Sequence, residues 1–201
     1  MDTREHILIS ASKLFLKSAY KEVTMKDIMA ATGLSKGAIY HHFTNKEDIF
    51  QAVLQYFMTA MEHHYDTYSR VSFRQFYLDY IEDTIRLVQD YSNKFGKEDH
   101  DKYVTFNNIS MVFDAIKLFP DFKVYAIEGF NQELSHWAAA ASRGKESGEL
   151  QTKMSDMQIG EMFLYLSDGV GLHMIIRGHD AMEVVAPIKA KWEELYALIK
   201  K

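Results

Sequence analysis

Lys36, Gly37 and Ala38 follow Ser35 and precede Tyr40, His41 and His42, and these residue types at this spacing suit contacts to a nucleic-acid duplex more than any bond-making step. A lysine donates to guanine N7 or O6, a glycine lets the backbone approach a groove floor, and an alanine methyl packs on a thymine methyl. Lys36 is the best candidate for base readout on that ground. Catalytic constellations find little support. The chain has no cysteine, no glycine-rich phosphate loop after a strand and no GxSxG turn. His41-His42 and His63-His64 are sequence neighbours, so each pair diverges by about 100° around a helix and cannot face one ion. Asp79 and Glu82-Asp83 have helical spacing and read as a solvated face. No enzyme activity, metal site or cofactor is expected.

The elements that must position these residues lie between Thr24 and Lys46, which read as two short helices around a three-residue turn: a helix-turn-helix. Thr24 with Asp27 is a capping pair, followed by Ile28, Met29 and Ala31 at helical spacing. Gly33 takes the positive φ that ends a helix, Leu34 plugs the space between the two helices, and Ser35 caps the next. That next helix, Lys36 to about His42, is about two turns long with Ile39 pointing inward, which fits a major groove about 12 Å wide. A first helix over Thr3–Ser18 packs Ile7, Leu8, Ala11, Leu14 and Phe15 against it, with Tyr20 and Phe43 also in the core and a capping box over Asp2–Glu5. Charge is distributed to match. Residues 1–46 hold seven Lys/Arg against four Asp/Glu, a net of +3, so the whole-chain −5 leaves −8 for residues 47–201. A small basic head on an acidic body favours docking in one orientation over a general coating of DNA.

Over about Arg4–Val53 the chain resembles the DNA-binding domain of the tetracycline-repressor (TetR) family of bacterial transcriptional regulators. The resemblance is carried by Ile7, Ala11, Leu14, Phe15, Tyr20, Thr24, Ile28, Gly33, Ser35, Gly37, Tyr40, His42, Phe43 and Lys46, in order. It implies that Tyr40, His42, Thr24 and Lys46 reach phosphates, with His41 beside them, and helix N-termini favour anions in any case. It also implies a homodimer, with the last two helices of each subunit forming a four-helix interface. Met157, Met162, Leu166, Val170 and Met174, with Gly160, Gly169 and Gly171, suit close helix approach there, and Trp192, Leu195, Tyr196 and Ile199 extend an apolar face on the last helix. The alternative for each is an ordinary intramolecular core.

The remainder reads as all-α, giving about nine helices: a three-helix head, residues 1–46, and a helical effector-binding and dimerisation body, residues 47–201. Asn45 caps a helix from Lys46 to about Tyr68. Ser72 with Gln75 opens another through Val88, followed by a loop or frayed end over Ser92–Lys102. Tyr103–Phe119 is a helix that Pro120 ends. Asp121 then caps a long helix that fades over Gly144–Gly148. Ser155 with Gln158 starts a helix running to Gly178, and Asp180 with Glu183 starts the last, where Pro187 requires a kink or a delayed start. Tyr77, Tyr80, Phe106, Met111, Phe113, Phe122, Tyr125, Phe130, Trp137 and Tyr165 describe either a pocket wall or a plain helical core. Tyr80, Phe106, Phe113, Tyr125, Phe130, Trp137 and Tyr165 are the pocket candidates. Asn107, Asn108, Glu128, Gln132, His136 and Asp168 are the polar candidates.

A hydrophobic content of 47% is ample for a core. No uninterrupted apolar run approaches the roughly 20 residues needed to span a bilayer, so a cytoplasmic, membrane-free protein is expected. The expected function is regulation of transcription on a palindromic double-stranded DNA operator, most simply repression relieved by a small hydrophobic or amphipathic effector. Two alternatives stay open: a regulator without an effector, whose body serves dimerisation or a protein partner, and a helical module whose head docks onto protein.

Overall fold

The computed structural model describes residues 2–95 and 104–201, and the side chains of these except 95 and 104–108. Among them are nine α-helices: α1 (Thr3–Lys17), α2 (Met25–Thr32), α3 (Lys36–Tyr40), α4 (Lys46–Ala60), α5 (Phe73–Phe95), α6 (Val104–Leu118), α7 (Pro120–Glu146), α8 (Asp156–Ile176) and α9 (Ala181–Ile199). A single 3-10 turn covers Tyr65–Thr67. The described residues contain no strand, only an isolated antiparallel bridge between Leu150 and Lys200. Local signals set most helix starts. Thr24 with Asp27, Ser155 with Gln158 and Asp180 with Glu183 form reciprocal capping boxes, satisfying amide groups that the first turn leaves open. Gly33 ends α2 at φ +67°.

Three expectations about helix limits change. The helix from Lys46 stops at Ala60 rather than about Tyr68, because the chain beyond it is tied to Asp83 on α5. Pro120 opens α7 instead of only closing its predecessor, occupying a first-turn position where its missing N–H costs nothing. The last helix runs through Pro187 without a delayed start, since the Asp180–Glu183 box begins it and Val184, Trp192, Leu195 and Ile199 bury one face. α5 continues through Phe95, and the rest of the expected 92–102 loop, residues 96–102, lies outside the described residues.

Packing divides the chain into two units, Met1–Glu62 with Asp90–Lys123, and His63–Gln89 with Val124–Lys201. The first extends well past the 1–46 head. Ile7, Ala11, Ile28, Ile39, Ile49 and Leu54 are sealed from solvent, and Met111 and Ala115 of α6 join the same core. Phe15 meets the Phe50 ring edge-on at 4.8 Å and Tyr20 lies 4.6 Å from Phe50, so α4 is part of the head's core.

The second unit is built around Trp137 and Trp192, whose rings cross at 4.9 Å, with Phe73, Tyr77 and Phe163 around them. The Trp192 indole donates to the Phe163 carbonyl at 2.8 Å. Glu149 caps α5 from far away in sequence: its carboxylate accepts from the Phe73 and Arg74 amides at 2.6 and 2.9 Å and from the Tyr196 hydroxyl at 3.0 Å. Asp83 is not on a solvated face as its spacing suggested. It is 6% exposed and accepts from the His64 amide at 2.8 Å, the Tyr68 hydroxyl at 2.6 Å and the Arg86 guanidinium. Asp79 similarly accepts from the Ser69 amide at 2.6 Å, whereas Glu82 is exposed as expected. Burial pushes the Asp83 carboxyl up, but the hydrogen bonds from His64, Tyr68 and Arg86 outweigh this and hold it well below the usual range. His63, its Nδ1 2.8 Å from the Tyr68 hydroxyl, is pushed down to about 4 by burial, against the pull of Asp83.

Two measurements check this packing. A Cβ on Gly144 meets the Leu150 side chain at 2.9 Å and Phe73 Cβ at 3.0 Å, whereas one on Gly129 meets nothing within 4 Å. In urea unfolding, Gly144→Ala destabilises by about 1–3 kcal/mol. Gly129→Ala, exposed and mid-helix, stabilises by roughly 0.5–1 kcal/mol. Because His63 is harder to protonate folded than unfolded, the unfolded chain binds more protons between pH 6.5 and about 4, and stability falls as pH drops through that window. The loss attributable to His63 is up to about 3 kcal/mol, and His63→Gln flattens the slope of unfolding free energy against pH.

Candidate nucleic-acid interface and body sites

α3 is only five residues long, too short to hold itself, so its orientation comes from its surroundings. The Ser35 hydroxyl accepts from the Ala38 amide at 3.3 Å, and Ile39 is fully buried. With Ile39 inward, Lys36, Gly37, Tyr40, His41 and His42 are exposed and Ala38 is partly so. A Cβ on Gly37 would meet nothing of the chain's own within 4 Å. Internal packing therefore does not require a glycine there, which is the pattern of a position left open to an external surface. The Lys36 ammonium lies 5.4 Å from the Tyr40 ring, and the His41 and His42 rings meet edge-on at 5.1 Å.

Two expected phosphate contacts are otherwise engaged. The Thr24 hydroxyl donates to Asp27 at 2.7 Å within the capping box, which holds the Asp27 carboxyl below its usual range. The Lys46 ammonium donates to the Tyr20 and Val23 carbonyls at 2.9 and 2.8 Å and sits 4.2 Å from the Tyr20 ring, closing the segment between α1 and α2. Tyr20 in turn donates to Glu47 at 2.8 Å. Sequence reasoning missed Arg4, exposed and 5.3 Å from the Phe43 ring beside His42, because its partner lies far along the chain in the connection between α3 and α4.

In the second unit, α8 carries apolar residues on two faces. Ile159, Gly160, Phe163 and Leu164 are buried, while Met162, Tyr165, Leu172 and Ile176 are 46–64% exposed in line with the open Gly169. At 21 residues α8 is long and apolar enough, by length and composition alone, to cross a bilayer, although Glu161 and Asp168 interrupt it. Trp192 and Leu195 do not belong to a free surface as expected: they are 1% and 9% exposed, inside the chain's own core. Leu166, Val170, Met174 and Tyr196 are half-buried, and Leu166 and Tyr196 pack on that core.

The expected pocket residues are split between the two units, Phe113 in the first and Tyr80, Tyr125, Phe130, Trp137 and Tyr165 in the second. Phe106, with Asn107 and Asn108, lies outside the described side chains. Phe113, Tyr125 and Phe130 are 46–59% exposed, and Tyr165 stands on the outer face of α8. Tyr80 and Trp137 come together, with ring centroids 5.2 Å apart. Beside them is Glu133, which sequence reasoning overlooked. Its Oε1 accepts from the Tyr80 hydroxyl at 2.7 Å and from the Tyr65 hydroxyl at 3.2 Å. His63 stacks on Tyr80 at 3.8 Å and His136 on Tyr65 at 4.1 Å. Burial pushes the Glu133 carboxyl up, against the two hydroxyls, and the Asp168 charge adds to the rise. Burial likewise raises Asp168. A separate open groove of about 630 Å³ runs between α5 and α9, lined by Leu78, Ile81, Ile85, Met182 and Val185 among others.

Comparison with known proteins places these features. Residues 7–53 match the family model for bacterial regulatory proteins, tetR family. The transcriptional repressor BepR of Brucella suis is 42% identical over 53 residues, 26% of this chain and 25% of that protein. The transcriptional regulator TtgR of Pseudomonas putida is 36% identical over 62 residues, 31% of this chain and 30% of its own. The chain thus spans roughly a quarter to a third of the length of these relatives. Two solved structures resemble it along nearly all its length. The repressor SmeT of the Stenotrophomonas maltophilia multidrug efflux pump has a TM-score of 0.69 at 19% identity, covering 100% of this chain and 92% of that one. A TetR-family regulator from Agrobacterium tumefaciens has a TM-score of 0.66 at 19% identity, covering 98% and 97%. Residues 7–53 thus match the helix-turn-helix head of the tetR family of bacterial regulatory proteins, and the chain as a whole shares the fold of those two structures.

Proposed function

We propose that the chain is a homodimeric, sequence-specific DNA-binding transcriptional repressor that is released from a palindromic operator by a small molecule. The observation that carries the reading is the exposed Lys36-Gly37 tip of α3, aimed by the buried Ile39 and capped by Ser35 within a segment that matches the family. Lys36 reads a base, Gly37 and Ala38 approach the groove floor, and Tyr40, His41 and His42 flank the phosphates. Thr24 and Lys46 then act by holding the shape of the head, with Arg4 adding charge beside Phe43. The DNA-binding role resides in residues 1–46, supported from within by α4 and α6, and effector and dimer roles reside in residues 47–201. A cytoplasmic location follows from the DNA partner.

Dimerisation runs through the outer face of α8, where the spacing of Met162, Tyr165, Gly169, Leu172 and Ile176 is that of a coiled-coil seam. Two-fold pairing places two recognition helices one or more helical turns apart on DNA, so a small change in their separation weakens both half-sites together. A 100-fold loss of operator affinity needs about 2.7 kcal/mol of differential effector binding. The exposure of Phe113, Tyr125 and Phe130 favours the second reading, a regulator whose body serves dimerisation without an effector.

Selection of bound sequences from random duplex DNA tests the DNA reading, and loss of all preference over scrambled competitor refutes it. In gel-shift titration on the selected site, Lys36→Ala costs about 1–3 kcal/mol and relaxes preference at one base position. Lys46→Ala instead lowers the melting temperature of the protein and leaves base preference unchanged at temperatures where it is folded. Leu172→Glu, which buries a charge in the proposed seam, gives a monomer in sedimentation at micromolar concentration where the parent chain is a dimer.

A further inference from the structure

We infer that a cleft between the end of α1 and α6 is a binding site for a small zwitterion, a free α-amino acid with a short apolar side chain. The inference goes beyond the effector reading above, since every wall of this cleft belongs to the first unit.

The cleft has a volume of about 120 Å³ and takes its walls from three stretches distant in sequence: residues 15–20, Phe50 on α4, and Ser110, Met111 and Asp114 on α6. Its floor is apolar and sealed, with Phe15, Phe50 and Met111 between 1% and 5% exposed. Its rim is polar. Lys17 and Ser110 are exposed there, and Ser18 and Asp114 half-buried. An apolar floor beneath a few placed polar groups is the make-up of a small-molecule site. Size limits the occupant. A dry cavity of about 150 Å³ takes up a benzene ring, so the space here admits one branched aliphatic group or one small ring and no larger body.

The rim sets the charge. Asp114 makes no ion pair or hydrogen bond among the described residues, so Lys17, of opposite sign and lining the same small cleft, does not pair with it. The side-chain hydroxyls of Ser18 and Ser110 likewise close no hydrogen bond among the described residues. Tyr20, which also lines the cleft, has its hydroxyl committed to Glu47. A ligand with one charge satisfies one rim group and repels the other. An α-amino acid satisfies both: its ammonium donates to Asp114 and Ser110, its carboxylate accepts from Lys17 and Ser18, and its side chain covers Phe15, Phe50 and Met111. Hydrogen bonds between ionised groups are shorter and stronger than neutral ones. So bound, the molecule ties α1 to α6 inside the unit that carries α3.

The test uses the full chain with L-valine, 2-methylpropylamine and 3-methylbutanoate, which share one branched body and carry both charges, the positive one alone and the negative one alone. Binding is read by calorimetry at neutral pH, without DNA, so that failure here leaves the operator reading untouched. L-valine is expected to bind at least tenfold more tightly than either singly charged relative, and at least tenfold more tightly than L-tryptophan, which exceeds the space. At saturation it raises the melting temperature. Asp114→Asn lowers valine affinity tenfold or more, leaves 3-methylbutanoate unaffected, and melts with the parent chain when no ligand is present, because Asp114 holds no partner within the fold. Ser110→Leu, at an exposed position, fills the cleft and abolishes valine binding while keeping the parent melting temperature. Equal binding of the three small molecules, no valine binding at millimolar concentration, or unchanged valine affinity in either variant overturns the inference.

Discussion

Burial of Ile39 is the constraint on which the head depends. α3 is too short to form in isolation, and one apolar side chain driven into the core between α1, α2 and α4 fixes its rotation. Successive residues on a helix differ by about 100° in direction, so that anchor also determines where Lys36 and Gly37 point. Gly33, in the left-handed region, and Ser35, as the cap, set the chain's path into the helix. Lys46 closes the other side by gathering the Tyr20 and Val23 carbonyls of the α1–α2 connection. Lys36, Gly37 and Tyr40 are thereby held on the exposed side of the head.

How much of this was legible in the sequence follows from the range of the forces involved. Capping boxes are formed by residues three apart, and those at Thr24, Ser155 and Asp180 could be read directly. The all-α architecture and the helix-turn-helix were legible for the same reason. Asp83, Glu133, Glu149 and Lys46 were not, since the partners that define them, Arg86 beside Asp83 apart, are 15 to 76 residues away on other segments. Helical spacing alone put Asp83 on a solvated face, and the family resemblance set Lys46 against a phosphate. The termination of α4 at Ala60 belongs to the same class: its apolar pattern continues, but tertiary hydrogen bonds to Asp83 redirect the backbone.

The pocket and dimer residues show a different difficulty. α8 is apolar nearly all round, so periodicity finds its apolar residues without saying which of two faces lies inside. Phe163 and Ile159 proved internal, Tyr165 and Leu172 external. The same ambiguity placed Trp192 at an expected interface, when its indole hydrogen bond to Phe163 is part of the inner core. An external stripe of that size on a folded chain ordinarily signifies a covering partner.

The Glu149 turn joins segments remote in sequence. Besides capping α5, the residues around it pair with the end of α9: the Gln151 amide donates to Ile199 and the Lys201 amide to Glu149, at 2.7 and 2.9 Å. This is a clasp in which the C-terminal backbone and the start of α5 share one short hinge. Its geometry makes spacing there matter as much as side-chain identity. An added residue between Gly148 and Gln151 would unlatch two distant helices at once, so natural length variation should be concentrated elsewhere in the body.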